Sequence, residues 1–444
     1  MIKEQTVVAG YEAELDNFDA EKRKVALQKI INEIDAGKIS LSPTSSDVNV
    51  HCHTFFSYNC YGYSPSKLAY LAKKAGLAVA GIVDFDVLDG VQEFLDASEL
   101  IGLKASVGIE TRVYVPEFGT KVINSPGEPG VSYHMGVGLN KPAAGTDEDK
   151  FLKSLSDTAQ KRNRELIERV NTYLAPASID IADAAKLTPK GNITERHIVQ
   201  AYARKARQVF KDDESLKKFW SEKLGTKIED KDIPESASLM NGIRAKTMKR
   251  GGVGYVQPDG GSFPSMAKMN QFVMACGGIP TVAWLDGTSD GEKNMEELLD
   301  VAISSGAAAF NIIPDRNFTP GVKDQKLANL NEVVRICRQR DLPIFVGTEM
   351  NSPGNKFVDA FGSDELSPFV DDFLNGAYIA YAHTALQNTL GAGYLSKWAS
   401  KNFANVADKN IFFTAVGEKL EPANIKKLRK LSKDVSPEQI LKML

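Results

Sequence analysis

Histidine is scarce in this chain, with five copies in 444 residues. Cysteine is scarcer still, and the four present (Cys52, Cys60, Cys276, Cys337) show neither zinc-knuckle nor redox-pair spacing. That argues against a disulfide scaffold and for free thiols in a reducing compartment. No run of about 18 apolar residues occurs, so no membrane-spanning helix is expected. The opening residues lack a basic stretch followed by an apolar block, so no secretory signal is expected and the chain reads as cytoplasmic. A formal net charge of -3 provides no electrostatic footprint for a nucleic acid partner. The oligomeric state is not legible. What remains is the composition of a soluble globular protein, 43% hydrophobic and 25% charged. A chain of 444 residues can bury a large core and hold more than one domain.

Against that scarcity, the placement of the histidines is informative. Two of the five form His51-Cys52-His53, directly after the apolar run Val48-Asn49-Val50. Ala80-Gly81-Ile82-Val83 runs into Asp84, and Ser106-Val107-Gly108-Ile109 runs into Glu110. Val131-Ser132-Tyr133 leads to His134, and Pro343–Thr348 ends at Glu349. Each is a strand-length stretch with a metal-type side chain at its C-terminal end. In a barrel of parallel strands those ends converge on one mouth. Two imidazoles at i, i+2 on a strand share a face. Imidazole and carboxylate together suit a divalent metal.

The segment 18–36 has amphipathic helical periodicity, and Lys38–Ser46 is a polar linker broken by Pro43. A βα rhythm follows. One strand ends at His51, a helix starts at Ser64-Pro65, a strand ends at Val83, a helix covers 88–101, and a strand ends at Glu110. Such alternation predicts parallel βαβ units. From 145 to about 250 the pattern turns helical and highly charged, with helices expected over 147–174, 194–210, 213–223 and 235–249. The glycine-rich turns at Gly251–Gly254 and Asp259–Gly261 are not followed by the Gly-Lys-Ser/Thr of a phosphate loop. Strands then resume at Ile279–Ala283, Ala307–Ile312 and Pro343–Thr348, before a helical tail. The expected organisation is an N-terminal helical extension over 1–45, a barrel in two parts over 46–142 and 265–362, a helical cap inserted at 143–264, and a C-terminal helical extension over 363–444.

The strand-end residues resemble the motifs of the PHP (polymerase and histidinol phosphatase) superfamily of metal-dependent phosphoesterases, over roughly half the chain. His51-Cys52-His53-Thr54 matches the opening His-x-His motif, and Ser57 fits the serine downstream of it. Asp84-Phe85 stands where the second motif has Asp-His, and Gly108-Ile109-Glu110 matches the bridging glutamate motif. His134-Met135-Gly136 is similar to the histidine segment that follows, and Ala283-Trp284 to the strand ending in Ala-His-Pro. Gly347-Thr348-Glu349-Met350-Asn351 resembles the closing Gly-Ser-Asp-x-His motif. The resemblance implies an α/β fold, a distorted (β/α)7-type barrel, with divalent metal bound at its mouth: one or two ions of zinc, manganese or iron, with magnesium a further option. The implied ligands are His51, His53, Glu110, His134 and Glu349. The departures from the pattern are Phe85, Trp284 and Asn351, each in place of a family histidine, and Glu349 in place of an aspartate. Two large aromatics at ligand positions would fill the space of further ions.

Each residue also has a plainer reading. His51 and His53 fit a hydrogen-bonded cluster without metal, Glu110 an ion pair with Arg112, and His134 a packed core histidine. Asp84 fits a partner of a ligating histidine, a direct ligand, or a loop carboxylate. Asp86 and Asp89 read as turn and cap residues. Arg196, His197 and Arg316 are candidates for substrate contact, with a helix start as the alternative for the first two. His383 reads as packed or surface. The expected activity is hydrolysis of a small phosphoester by metal-activated water, with Asp84 or His134 moving the proton and the cap acting as a lid. Two other readings remain open: a catalytically impaired metal- or ligand-binding protein, and a single-metal hydrolase of an amide or lactone.

Overall fold

The computed structural model describes residues 2–444, with side chains from residue 7 onward. Seven strands form one sheet in chain order: β1 (Val48–Cys52), β2 (Val79–Phe85), β3 (Ala105–Tyr114), β4 (Val131–Val137), β5 (Ile279–Trp284), β6 (Ala309–Ile312) and β7 (Ile344–Val346). The sheet curls until its two edges meet. The Glu349 amide donates to the His51 carbonyl, and the His53 amide donates to the Glu349 carbonyl, both at 2.8 Å. The result is a nearly closed, distorted α/β barrel with helical extensions.

Strands β1, β5, β6 and β7 are buried along their whole length. That is why they read as near-continuous apolar runs rather than alternating ones. Gly347 makes the closure possible: a Cβ there would lie 2.5 Å from both the His51 amide and Asn49 Oδ1. The helix Pro65–Ala75 begins as its sequence predicts, with Ser64 Oγ accepting from the Lys67 amide at 3.0 Å, and ends on Gly76 at φ +78. The tail contributes the helix Val370–Leu390, which packs on β7, β1, β3 and β2. Gly376 lets it approach closely, since a Cβ there would meet the Ile344 carbonyl at 1.8 Å.

Between β4 and the helix Met266–Ala275 that leads into β5, the insertion holds five α-helices: Asp147–Leu174, Ile181–Ala185, Glu195–Val209, Asp213–Leu224 and Ala237–Thr247. They have a core of their own around Val170, Tyr202, Trp220 and Ile243. Ile181–Ala185 was not expected, because five residues are too few to show a helical period. Among the described residues, no helix is long and apolar enough to cross a membrane.

One expectation about the sheet fails. β1–β3 and β5–β7 are parallel, but β4 runs antiparallel to both β3 and β5. The C-terminal end of β4 therefore points to the base of the barrel, and its first residues stand at the mouth.

Candidate metal centre and cavity

Strand parity decides which side chains meet inside the barrel. His51 and His53 share the inner face of β1, and both reach Glu110 on β3. His51 Nε2 lies 3.4 Å and His53 Nε2 3.1 Å from Glu110 Oε2. One ligand-type atom from each of the three residues falls within 4.8 Å of the others, and this is the one such group of His, Cys, Asp or Glu among the described residues. All three side chains are buried, yet these three atoms form no directed hydrogen bond. Buried polar atoms are normally paired, so three facing each other without partners describe a place for a cation.

The network behind the triad sets both imidazole tautomers. Asn311 Nδ2 donates to the Phe345 carbonyl, so Asn311 Oδ1 is the acceptor 3.1 Å from His51 Nδ1. Ser57 Oγ donates to Asp84 Oδ1 at 2.6 Å, so it accepts from His53 Nδ1 at 3.1 Å. Both imidazoles carry a hydrogen on Nδ1, so in the neutral form each turns its Nε2 lone pair toward Glu110, as ligating histidines do. Asp84 also accepts from the Thr54 amide and hydroxyl. Burial pushes its carboxyl upward, against the pull of these donors and of His53. For Glu110, burial opposes ionisation, but His51 and His53 hold the carboxyl below its ordinary value. Burial likewise opposes charge on His51, and Glu110 overcomes it and raises that imidazole.

The structure separates several residues that the motifs grouped. His134 pairs in register with Thr111, one step along β3 from Glu110, so it projects from the opposite face. It hydrogen-bonds Asn270 on the helix Met266–Ala275 outside the barrel, and burial pushes its pKa down to about 4. It is thus a core histidine, away from the mouth. Asp84 is also on the outer face, and its hydrogen-bonded link to the triad runs through Ser57. Glu349 is beside the triad by its backbone, at φ +61, but its carboxylate pairs with Arg316 Nη2 at 3.1 Å. Trp284 does not line the mouth either. Ala283 pairs with the inward Asn311, while Trp284 pairs with Ile312 and packs 6.4 Å from Phe310 in the outer core. Phe85 does face inward: it pairs with Glu110 and stacks on His53 at 4.4 Å. The second-ion set of Glu110 and His134 is not assembled.

Next to the triad, between barrel and inserted helices, lies a cavity of about 750 Å³, which Phe85 and Glu349 line and the three triad side chains do not. Phe85 and Tyr133 form part of its floor. Seven Lys and Arg side chains line it against four Asp and Glu, an excess of positive charge in a chain that is negative overall. Of the expected contact residues, Arg316 lines it, and so does Arg196, which donates to Asn241 and Ser352 and so joins the insertion to the loop after β7. His197 does not. It is buried at its helix start, where Nδ1 accepts from the Thr194 amide, with its ring against Tyr58. His383 is a packed histidine, fully buried, whose Nδ1 accepts from the Tyr394 amide.

Other residues line the cavity that the sequence did not mark as candidates for contact. Arg112 donates to Glu128 at 3.0 Å rather than to Glu110. It stands two positions beyond Glu110 on β3, so the same parity that places Glu110 would have found it. Arg244 and Lys249 both pair with Glu195 at 2.9 Å. Asp86, expected in a turn, has φ +60, accepts from Thr111 Oγ1 at 2.6 Å and lines the cavity.

No family model matches this chain, and no curated protein does. Two solved structures are similar in outline. One is an amidohydrolase from Chromobacterium violaceum with bound sulfate and no metal, at TM-score 0.48 and 16% identity, covering 69% of this chain and 88% of the other. The second, from Bifidobacterium adolescentis, is named as a candidate metal-dependent phosphoesterase; it has TM-score 0.49 and 18% identity and covers 75% of this chain and 98% of the other. At these values the likenesses do not bear on the chemistry.

Proposed function

We propose that this chain is a metal-dependent hydrolase acting on a small phosphoester, with one divalent ion held by His51, His53 and Glu110. The observation that carries the reading is the triad itself: three buried ligand atoms without hydrogen-bond partners, next to a cavity rich in arginine and lysine. Two histidines and a glutamate with a position left open form a familiar catalytic zinc set. The motif residues of the PHP resemblance suit the same reading.

When bound there, such an ion lowers the pKa of a water and stabilises negative charge on a phosphoryl oxygen. The protein's own residues do the rest. Asn311 and Ser57 orient the two imidazoles, and Asp84 acts as a positioning residue through Ser57. Arg316, held by Glu349 at the cavity wall, offers a guanidinium to an anionic group. Glu349 holds Arg316 through one carboxylate oxygen, Oε2. The inserted helices wall the cavity on the side opposite the barrel.

A second reading is favoured by one observation. Phe85 lies flat on His53, and the triad is fully buried, which suits a metal- or ligand-binding protein with little turnover. The test is a panel of phosphoesters, amides and lactones, assayed with protein loaded with zinc, manganese, iron or magnesium. Phosphoester hydrolysis that needs metal and vanishes in His53→Ala is expected. Hydrolysis of amides or lactones alone would replace the substrate class, and metal binding without turnover would establish the second reading.

A further inference from the structure

Arg162 is the one cavity arginine without an ion-pair or hydrogen-bond partner among the described residues; of the two cavity lysines, Lys268 is likewise unpaired and stands over the Phe151 ring at 5.2 Å. Arg162 lies on the long helix Asp147–Leu174, is half-buried, and has no carboxylate within ion-pair range and no hydrogen bond. Its guanidinium carbon stands 4.7 Å from the centre of the Phe263 ring. Arg112 stands over the same ring at 4.4 Å, so two guanidinium groups share one aromatic face or edge. The other cations nearby are already committed: Arg112 to Glu128, and Arg244 and Lys249 to Glu195. Burial and the charge of Arg112 hold the Arg162 pKa down to about 10, as repulsion between like charges would. A guanidinium carries five N–H donors in a planar fork suited to an oxyanion. Here that fork opens into the cavity, with a second arginine beside it and nothing of the protein to satisfy it.

We infer that Arg162, with Arg112 and Phe263, forms an anion subsite at the outer end of the cavity, distinct from the triad. Arg112 is two residues past Glu110 on the same face of β3, about 7 Å further along the strand. A ligand filling both ends carries a second anionic group several ångströms from the one next to the triad. That extension to substrate class rests on the hydrolase reading; the subsite itself does not, since anion binding there needs no metal and no turnover.

The test is calorimetric titration of chelator-treated, metal-free protein with inorganic phosphate and, separately, with acetate. Wild type is expected to bind at least one of the two anions, and the one it binds shows whether the subsite takes phosphate or carboxylate. Arg162→Gln should weaken that binding at least tenfold and Arg162→Lys less, while Arg335→Gln, at a surface arginine outside the cavity, leaves it within about twofold. Arg162 makes no bond that folding depends on, so an unchanged melting temperature should accompany the loss. Failure of wild type to bind either anion, or equal binding by Arg162→Gln, overturns the subsite. Loss in Arg316→Gln alone also overturns it, by placing the anion at the other end. Metal-dependent hydrolysis by wild type is scored independently, so the hydrolase reading can stand or fall apart from this one.

Discussion

Ser57 joins Asp84 to His53: its hydroxyl donates to Asp84 Oδ1 at 2.6 Å and accepts from His53 Nδ1 at 3.1 Å. A carboxylate on the outer face of the barrel thereby sets the direction of a lone pair inside it. Such outer-shell links tune metal affinity by about 10- to 100-fold. Ser57→Ala should weaken ion binding by that order while leaving the triad in place, as read by competition with a chromophoric chelator. Unchanged affinity would mean that His53 is held by packing alone.

Trp284 and Phe85 should respond in opposite ways to replacement by histidine. Phe85 faces His53 and Glu110, so Phe85→His should add a ligand and tighten metal binding. Trp284 is in the outer core, 1% exposed. Trp284→His should leave metal per chain unchanged and cost stability, on the order of 3–5 kcal/mol by analogy with large core truncations. The check is elemental analysis together with thermal melts. Extra metal in folded Trp284→His would show that the side chain reaches the mouth after all.

His134 should matter for folding and not for the ion. His134→Ala leaves Asn270 Oδ1 unpaired in the core, at a cost of about 1–3 kcal/mol. Metal content should equal that of wild type. Loss of the ion from a folded variant would return His134 to the ligand set.

Asp359 provides a pH signature. Both its oxygens are buried without a partner, and burial, with the charge of Asp315, pushes its pKa from 3.8 up to about 7. The folded state therefore keeps a proton that the unfolded state releases. Its contribution to stability is fully present below pH 3.8 and is lost as pH rises toward 7. Asp359→Asn should remove that loss. The variant should melt above wild type at pH 8, with the gap closing toward pH 4. Parallel melting curves at all pH values would contradict this assignment.

Much of the barrel was legible because buried parallel strands are continuous apolar runs, and because His51 and His53, two apart, must share a face. Glu110 was legible for the same reason, as the first carboxylate after such a run. What a run of apolar residues does not reveal is strand direction. β4 reads like its neighbours, but runs the other way, so the rule that places strand-end residues at the mouth misplaced His134. Trp284 was misplaced by parity: a motif match counts positions, and only the pairing of Ala283 with Asn311 shows which of two adjacent residues faces in. The cavity arginines come from a strand, three inserted helices and the short 3-10 turn after β6, and no local spacing unites them. Asp86 was read correctly as a turn residue, but its place at the cavity depends on Thr111, which lies on another strand.

The most direct test of the account is the number of divalent ions bound per chain, measured by titrating chelator-treated protein with zinc and with manganese, in wild type and in His53→Ala. The account predicts one ion per wild-type chain, and loss of that ion in a variant that still folds. Wild type that binds no ion, or His53→Ala that binds as wild type does, would contradict it.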